Sequence, residues 1–285
     1  MFLVYNPTRV KMKLPAASSG EFFRLGFWRI SDSPAIAVQR LNTFMTADEE
    51  SANLHGLPWP ELFQGTLVKR YKRFLADVEL ASGELVTAHC PNTGSMRTCW
   101  EPGAQAELSY SSDPKRKLAW TLERVDMGSG WVGVHTGRTN PVMAEGIAEG
   151  LIPPLAGYAK LRREVRFELD GHPRSRLDLQ LFEGPRADAL VEVKNVSLLD
   201  AELVRFPDAV TERGRKHLDL LAAAQALGWR AVMLFAVNRP EGRAFAPAAA
   251  VDPDYARRLR EVAGAGVEVL AVRGSQAYVR GTLVD

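Results

Sequence analysis

Cysteine is scarce in this chain: Cys90 and Cys99 are the two thiols in 285 residues, and no Cys-x-x-Cys is present. A disulfide framework and a cysteine-rich zinc site are thereby excluded, and a reducing compartment, the cytoplasm, is expected. Long hydrophobic runs are missing too. No stretch of about 18 apolar residues exists, so no membrane-spanning helix is expected. Charge of one sign is also lacking: 36 Lys and Arg stand against 34 Asp and Glu, a net charge of +2. The total therefore does not mark a nucleic-acid binder, and local clusters must make that case. Repeats and low-complexity tracts are absent. What remains is an ordinary globular mixture, 46% hydrophobic and 25% charged, able to bury a core. The length suits one large or two ordinary domains.

The first 60 residues stand apart. Residues 1–20 carry Arg9, Lys11 and Lys13 and no acid, and the apolar run 22–28 is interrupted by Arg24. That run is too short for a signal peptide, and no small-residue cleavage site follows. Residues 1–60 are expected to form a poorly ordered extension, and Met45 offers an in-frame alternative start.

Residues 65–136 read as β structure. Gly65 to Val78 has the composition of one long strand, and Ser82-Gly83 turns it into a second, Glu84 to Cys90. Pro91-Asn92-Thr93-Gly94 is loop chemistry. Strands over 106–110, 117–125 and 131–135 complete the set. Five short strands in this space predict a small closed barrel of the oligonucleotide-binding kind, residues 61–138. Residues 139–285 read differently. A helix over 141–149 ends at Pro153-Pro154, and strands follow over 164–169, 175–182 and 189–196, with Asp170-Gly171 and Gly184-Pro185 as turns. A helix from Ala209 to Leu227 stops at Gly228. The strand 230–237, a helix over 253–263 and a strand over 267–272 finish the chain. Short turns make the first three strands antiparallel and helical crossovers make the later ones parallel. The fold class is therefore a β-barrel followed by a mixed-sheet α/β domain.

The chemistry lies on two neighbouring strands. In Arg176-Leu177-Asp178-Leu179-Gln180-Leu181 the leucines take the core and Asp178 the other face; in Val191-Glu192-Val193-Lys194 the valines take the core and Glu192 and Lys194 turn away. Facing side chains across such a pair have Cβ atoms about 5 Å apart, so Asp178 approaches Glu192 with Lys194 one step along. Two carboxylates that close repel unless a cation lies between them, and their oxygens suit Mg²⁺ or Mn²⁺. Such a metal polarises a phosphodiester, and Lys194 is placed to hold the attacking water or to stabilise developing charge. Glu145, a turn into the preceding helix, is the candidate third ligand. Against this stands the plainer reading: Glu-x-Lys arises often by chance, and alternating charge on a strand is usually a solvated face. A sheet covered on both faces, however, gives converging charges no solvent to meet.

Other residues carry two readings each. Lys69, Arg70, Lys72 and Arg73 around Tyr71 suit a phosphate backbone and base stacking, or an ordinary barrel strand. Lys115, Arg116 and Lys117 suit a phosphate-contacting loop or a soluble turn. Arg213 and Lys216 lie with Arg215 and His217 at a helix start, where phosphates bind; His217 itself reads more readily as a packing histidine than as a general base. His89 and Cys90 lack partners at metal-ligand spacing.

Several of these stretches resemble one family. Pro207-Asp208-Ala209-Val210-Thr211-Glu212-Arg213-Gly214 with Lys216-His217-Leu218 looks like the signature of the sugar fermentation stimulation protein A family. His89 to Met96 resembles its N-terminal loop, Arg70 to Val78 its opening strand, and Ser175 to Asp178 and Val191 to Val196 its central strands. The likeness covers roughly residues 64–280. It implies an oligonucleotide-binding-type barrel, then a restriction-endonuclease-like PD-(D/E)xK domain, and a nucleic-acid partner, DNA ahead of RNA. It also implies a role in regulating sugar, chiefly maltose, metabolism. In that motif the first acid falls on Asp178, the second on Glu192, the lysine on Lys194 and the helix acid on Glu145; Leu177 stands where the motif has proline. Asn92, in the resembling loop, joins the candidate nucleic-acid contacts. Two functions stay open: a Mg²⁺- or Mn²⁺-dependent nuclease, and a non-enzymatic DNA-binding regulator.

Overall fold

The computed structural model describes residues 57–169 and 175–273, with the backbone of two earlier strands, β1 (Arg9–Met12) and β2 (Gln39–Arg40). Most of the expected N-terminal extension, and the Asp170-Gly171 turn, lie outside the described residues. Among them no helix is long and apolar enough to cross a membrane.

The first unit is built from β3 (Leu62–Tyr71), β4 (Leu75–Leu80), β5 (Leu85–His89), β6 (Gln105–Tyr110), β7 (Trp120–Asp126) and β8 (Trp131–Gly133). They run in the order β5-β4-β3-β6-β7-β8. The first five close into a barrel where Ala88 and His89 of β5 pair with Trp120 and Thr121 of β7. Leu67, Val78, Ala88, Leu108 and Leu122 fill it and are fully buried. The fold class expected from the sequence is the one observed, with one correction. Residues 65–78 are not one strand but a hairpin, turning at Lys72 and Arg73, whose φ angles of 48° and 65° are left-handed. No glycine, proline or asparagine marks this turn, so the apolar and basic pattern runs through it unbroken.

The second unit begins with α1 (Thr139–Ala148), then β9 (Lys160–Leu169), β10 (Ser175–Phe182) and β11 (Ala189–Val196). Next come β12 (Leu198–Asp200), β13 (Leu203–Phe206), α2 (Glu212–Ala226) and β14 (Arg230–Val237). β15 (Ala244–Pro247), α3 (Pro253–Gly264) and β16 (Glu268–Arg273) complete it. The main sheet has the order β1-β9-β10-β11-β14-β16. β9, β10 and β11 are antiparallel neighbours, whereas β11, β14 and β16 are parallel. Every residue of β14 is buried, as its unbroken apolar run demands of a central parallel strand. One face packs Leu218, Leu221 and Tyr255 of α2 and α3 over Met233 and Phe235; the other packs Val142, Met143 and Ile147 of α1 over Val191 and Leu234.

Both later helices start on side-chain caps. Thr211 accepts from the Gly214 N–H at 3.0 Å, and Asp252 from the Tyr255 N–H at 2.9 Å. This cap sets the start of α2 at Glu212 rather than Ala209. A second small sheet, β12-β13-β15-β2, was not anticipated. Its strands of three and four residues carry too few alternations to leave a periodic signal.

The barrel is tied to the α/β unit through the loop after β5. Ser95 Oγ and the Met96 N–H donate to Asp208 Oδ2 at 3.4 and 3.2 Å, and Arg239 donates to the Thr98 carbonyl at 3.1 Å and the Ser197 carbonyl at 2.6 Å. Gly94 sits so close to Asp208 that a Cβ there would fall 2.2 Å from Oδ2. Gly94→Ala is therefore predicted to cost about 1–3 kcal/mol in urea unfolding, and to cost much less when Asp208 is also alanine. Equal losses in the two backgrounds would remove this contact from the account.

Candidate functional site

Asp178 lies where β10 changes the face it buries. Leu177 packs toward α2 and α3, while Leu179 and Leu181 pack toward α1. Opposite, in β9, Glu164 carries a left-handed φ of 56°, which re-aims that strand at the same level. The leucines do take the core, as their spacing predicts, but on two sides of the sheet. The ladder between β10 and β11 runs from Leu181↔Ala189 to Leu179↔Val191 and then opens. One step further Asp178 stands level with Glu192. Its carboxylate takes over the role of the ladder, Oδ2 accepting the Val193 N–H at 2.8 Å. Oδ1 accepts from Asn140 Nδ2 at 2.6 Å, so the start of α1 also reaches this point.

Glu192 and Lys194 project from β11 toward α2, as the alternation predicts. Glu192 is 2% exposed. Its Oε1 meets both Lys194 Nζ and His217 Nδ1. Arg213 Nε lies 3.4 Å from His217 Nε2; with Nε2 accepting there, the hydrogen-bond network assigns the ring proton to Nδ1, facing Glu192. Glu192 Oε2 is buried and has no hydrogen-bond partner among the described residues. Burial raises the proton affinity of Glu192, but the His217 bond and the Lys194 charge outweigh it and hold the carboxyl below its ordinary value. Asp178 goes the other way: burial first, then the Glu192 charge, push it up to about 6 despite the Val193 and Asn140 bonds. The last proton of this pair therefore resides on Asp178.

Two features bear on whether these residues fit a divalent cation. Glu192 Oε2 is an orphaned buried acceptor, and the Asp178 carboxyl is pushed up first by burial and then by the neighbouring Glu192 charge, the second of which a cation would offset. A cation between them also gives Oε2 a partner, so the donor set fits a hard metal ion. Glu145, the candidate third ligand, has its Oε2 buried and without a hydrogen-bond partner among the described residues, and among those residues no three His, Cys, Asp or Glu side chains converge as a metal-holding cluster. Glu145 and Asn140 are five residues apart on α1, about 140° around a helix. The face that reaches Asp178 carries Asn140.

Of the candidate nucleic-acid contacts, several are occupied internally. Arg70 donates to the carbonyls of Asn92 and Gly94, each at 2.9 Å, and of Arg73 at 2.6 Å, which staples the loop after β5. Tyr71 donates to Asp77 at 3.1 Å, and Lys69 pairs with Asp77 at 3.2 Å. Asn92 is buried, its Oδ1 accepting the Gly94 N–H at 2.9 Å. Lys72 and Arg73 are exposed on the hairpin turn, Lys115, Arg116 and Lys117 on the β6–β7 loop, and Arg213 and Lys216 on the first turns of α2. A cleft of about 330 Å³ separates the loop at Asn92–Gly94 from the segment Pro207–Thr211, with Arg73 and Asn195 on its walls. His217 and Asn140 are the site residues the sequence reading did not assign. The Lys216-His217 motif pointed at the first; nothing local pointed at the second.

Fold and site together define a class: an oligonucleotide-binding-type barrel followed by a mixed-sheet α/β domain with a carboxylate pair, one buried and one half-buried, beside a lysine. Family models give the particular case. One described as the sugar fermentation stimulation protein N-terminal OB domain matches residues 68–134, and one described as the RE domain of that protein matches residues 137–277. The chain belongs to the sugar fermentation stimulation protein family. It is 50% identical over 215 residues to a homolog from Acidithiobacillus ferrooxidans, covering 75% of this chain and 91% of that one. It is 51% identical over 217 residues to a homolog from Geobacter sulfurreducens, covering 76% and 90%. The solved structure of Pyrococcus furiosus SfsA in complex with Ca²⁺ superposes with a TM-score of 0.69 at 24% identity, over 79% of this chain and 96% of that one.

The raised Asp178 value has a consequence for stability. Its folded pKa of about 6 lies above its ordinary 3.8. The stability it contributes is thus complete below 3.8 and lost as pH rises through about 6. In metal-free buffer Asp178→Asn is predicted to raise the unfolding midpoint at pH 8 and to leave it nearly unchanged at pH 4. His217→Ala, which strips a charge-assisted bond from a buried carboxylate, is predicted to cost about 2 kcal/mol in urea unfolding, with His217→Gln recovering part of it.

Proposed function

We propose that this protein is a divalent-metal-dependent phosphodiesterase acting on nucleic acid, DNA in the first instance, with a PD-(D/E)xK-type centre. The observation that carries the reading is the approach of Asp178 and Glu192 at the point where β10 and β11 part, with Lys194 on the same strand as Glu192. Asp178 and Glu192 would hold Mg²⁺ or Mn²⁺; the binding of Ca²⁺ by the Pyrococcus relative, another hard oxygen-seeking cation, supports this. Such an ion, when bound, supplies Lewis acidity toward a phosphodiester and toward water. Lys194 Nζ is half-buried between strand and helix, placed to donate to the attacking water or to charge developing on phosphate. His217 holds Glu192 Oε1 and leaves Oε2 for the ion. Asn140 and the Val193 N–H orient Asp178 without neutralising it.

The test is cleavage of end-labelled single- and double-stranded DNA with Mn²⁺ or Mg²⁺. Wild type is expected to cut. Asp178→Ala and Lys194→Ala are each expected to lower the rate by at least about 100-fold, the size of a lost electrostatic contribution. Cutting that survives Asp178→Ala unchanged would contradict the proposal. DNA that is bound by wild type and never cut would assign the centre to a binding platform, the reading of a non-enzymatic DNA-binding regulator of sugar metabolism.

A further inference from the structure

β6 ends at Tyr110 and β7 begins at Trp120, and these two residues pair across the ladder. Trp120 meets the Tyr110 ring edge-on at 5.0 Å and the Phe63 ring at 5.1 Å. The three rings thus form one cluster on the barrel, outside the group of buried residues that fills it. Tyr110 remains 53% exposed, among the largest apolar exposures of the described residues. Trp120, itself set against Phe63, braces the Tyr110 ring edge-on and leaves its open face to the solvent, a platform on which a flat apolar group can stack.

The loop between these strands says what kind of partner fits. Residues 111–119 hold three consecutive cations, Lys115, Arg116 and Lys117, all exposed, against the single acid Asp113. Asp113 is engaged within the loop, accepting the Lys115 N–H at 2.9 Å. Arg116 is fixed on the barrel wall beside Trp120, donating to Thr121 Oγ1 at 2.6 Å. Among the described residues neither lysine has an ion-pair partner. The chain as a whole carries only +2, so this concentration is local. Cations in register beside an open ring match a strand whose phosphates and unpaired bases alternate. A duplex keeps its base faces closed and offers this ring nothing to stack on.

We propose that Tyr110, Trp120 and the loop at Lys115–Lys117 form the binding surface for a single-stranded segment of nucleic acid, one base stacking on Tyr110 and the backbone following the three cations. This rests on the nucleic-acid reading above and adds the strandedness of the substrate and where on the barrel it lies. The surface is separate from the hairpin at Lys69–Arg73, whose Arg70 and Tyr71 are taken up by internal bonds.

The experiment is fluorescence anisotropy of a labelled oligothymidylate and of a duplex of equal length, with the full chain, in EDTA so that no cleavage occurs. Wild type should prefer the single strand. Tyr110→Ala should weaken that binding about 5- to 100-fold, with Tyr110→Phe close to wild type, because base stacking needs the ring and not the hydroxyl. Lys115→Ala with Lys117→Ala should lower the slope of log affinity against log salt by about 1.4, two phosphate contacts on a single strand. Thermal unfolding of each variant should match wild type, since these side chains are exposed. Single-strand binding equal in wild type and Tyr110→Ala, or a preference for duplex, overturns this surface while leaving the nuclease centre standing. Loss of cleavage in Asp178→Ala beside intact single-strand binding supports both. Failure of wild type to bind either oligonucleotide removes the nucleic-acid reading and this surface with it.

Discussion

The structure turns on the repulsion between two carboxylates held inside a covered sheet. Burial alone disfavours either charge, and each makes the other worse. The chain does not relieve this by separating them. It pairs Glu192 with Lys194 and His217 on one oxygen and leaves the other without a partner, while Asp178 keeps its proton up to about pH 6. An arrangement built for stability alone would fill that space with apolar side chains, because a buried charge set is weak as a stabiliser. The arrangement stands at the junction of three elements, β10, β11 and α2, and leaves one buried carboxylate oxygen, Glu192 Oε2, without a partner among the described residues.

The surrounding architecture follows from holding that pair still. β11 is fixed along its length by parallel pairing with β14. α2 is capped by Thr211 and tied to α3 by Arg215 donating to Asp252 at 3.0 Å, and it carries His217 to Glu192. Burial raises and the Thr211, Tyr255 and Arg215 contacts lower the Asp252 carboxyl, which stays ionised as the common anchor of two helix starts. α1 is bound on the other side through Thr139 and Asn195, linked at 3.0 Å. The barrel is not independent of this: its loop, stapled by Arg70, reaches Asp208 just ahead of α2. Changes on the barrel loop can therefore reach the helix that orients Glu192.

Much of this was legible in the sequence where a regular pattern meets a marked turn. Alternation on 175–182 and 189–196 placed Asp178, Glu192 and Lys194 together, and the unbroken apolar run 230–237 announced a central strand. Legibility failed where tertiary contacts override the local code. Lys72 and Arg73 adopt left-handed backbone with no residue type that favours it, and the Arg70 bond to the Arg73 carbonyl closes the turn instead. The switch of buried face at Leu177 and Leu179 is invisible to a period of two. The rotation of α1 about its own axis is set by packing of Val142, Met143 and Ile147, which helix spacing alone does not reveal, and it brings Asn140 to Asp178. Arg70 and Tyr71 looked like surface groups because nothing in their neighbourhood reveals a carbonyl-lined loop from 22 residues away.

The most direct test of the central claim is a crystal structure of the protein soaked in Mn²⁺, with anomalous scattering measured at the manganese edge. A peak is expected between the carboxylates, coordinated by Asp178 and by Glu192 Oε2, with Lys194 and His217 remaining on Oε1. Well-measured anomalous data with no peak between the two carboxylates, or with manganese only elsewhere on the molecule, would contradict it.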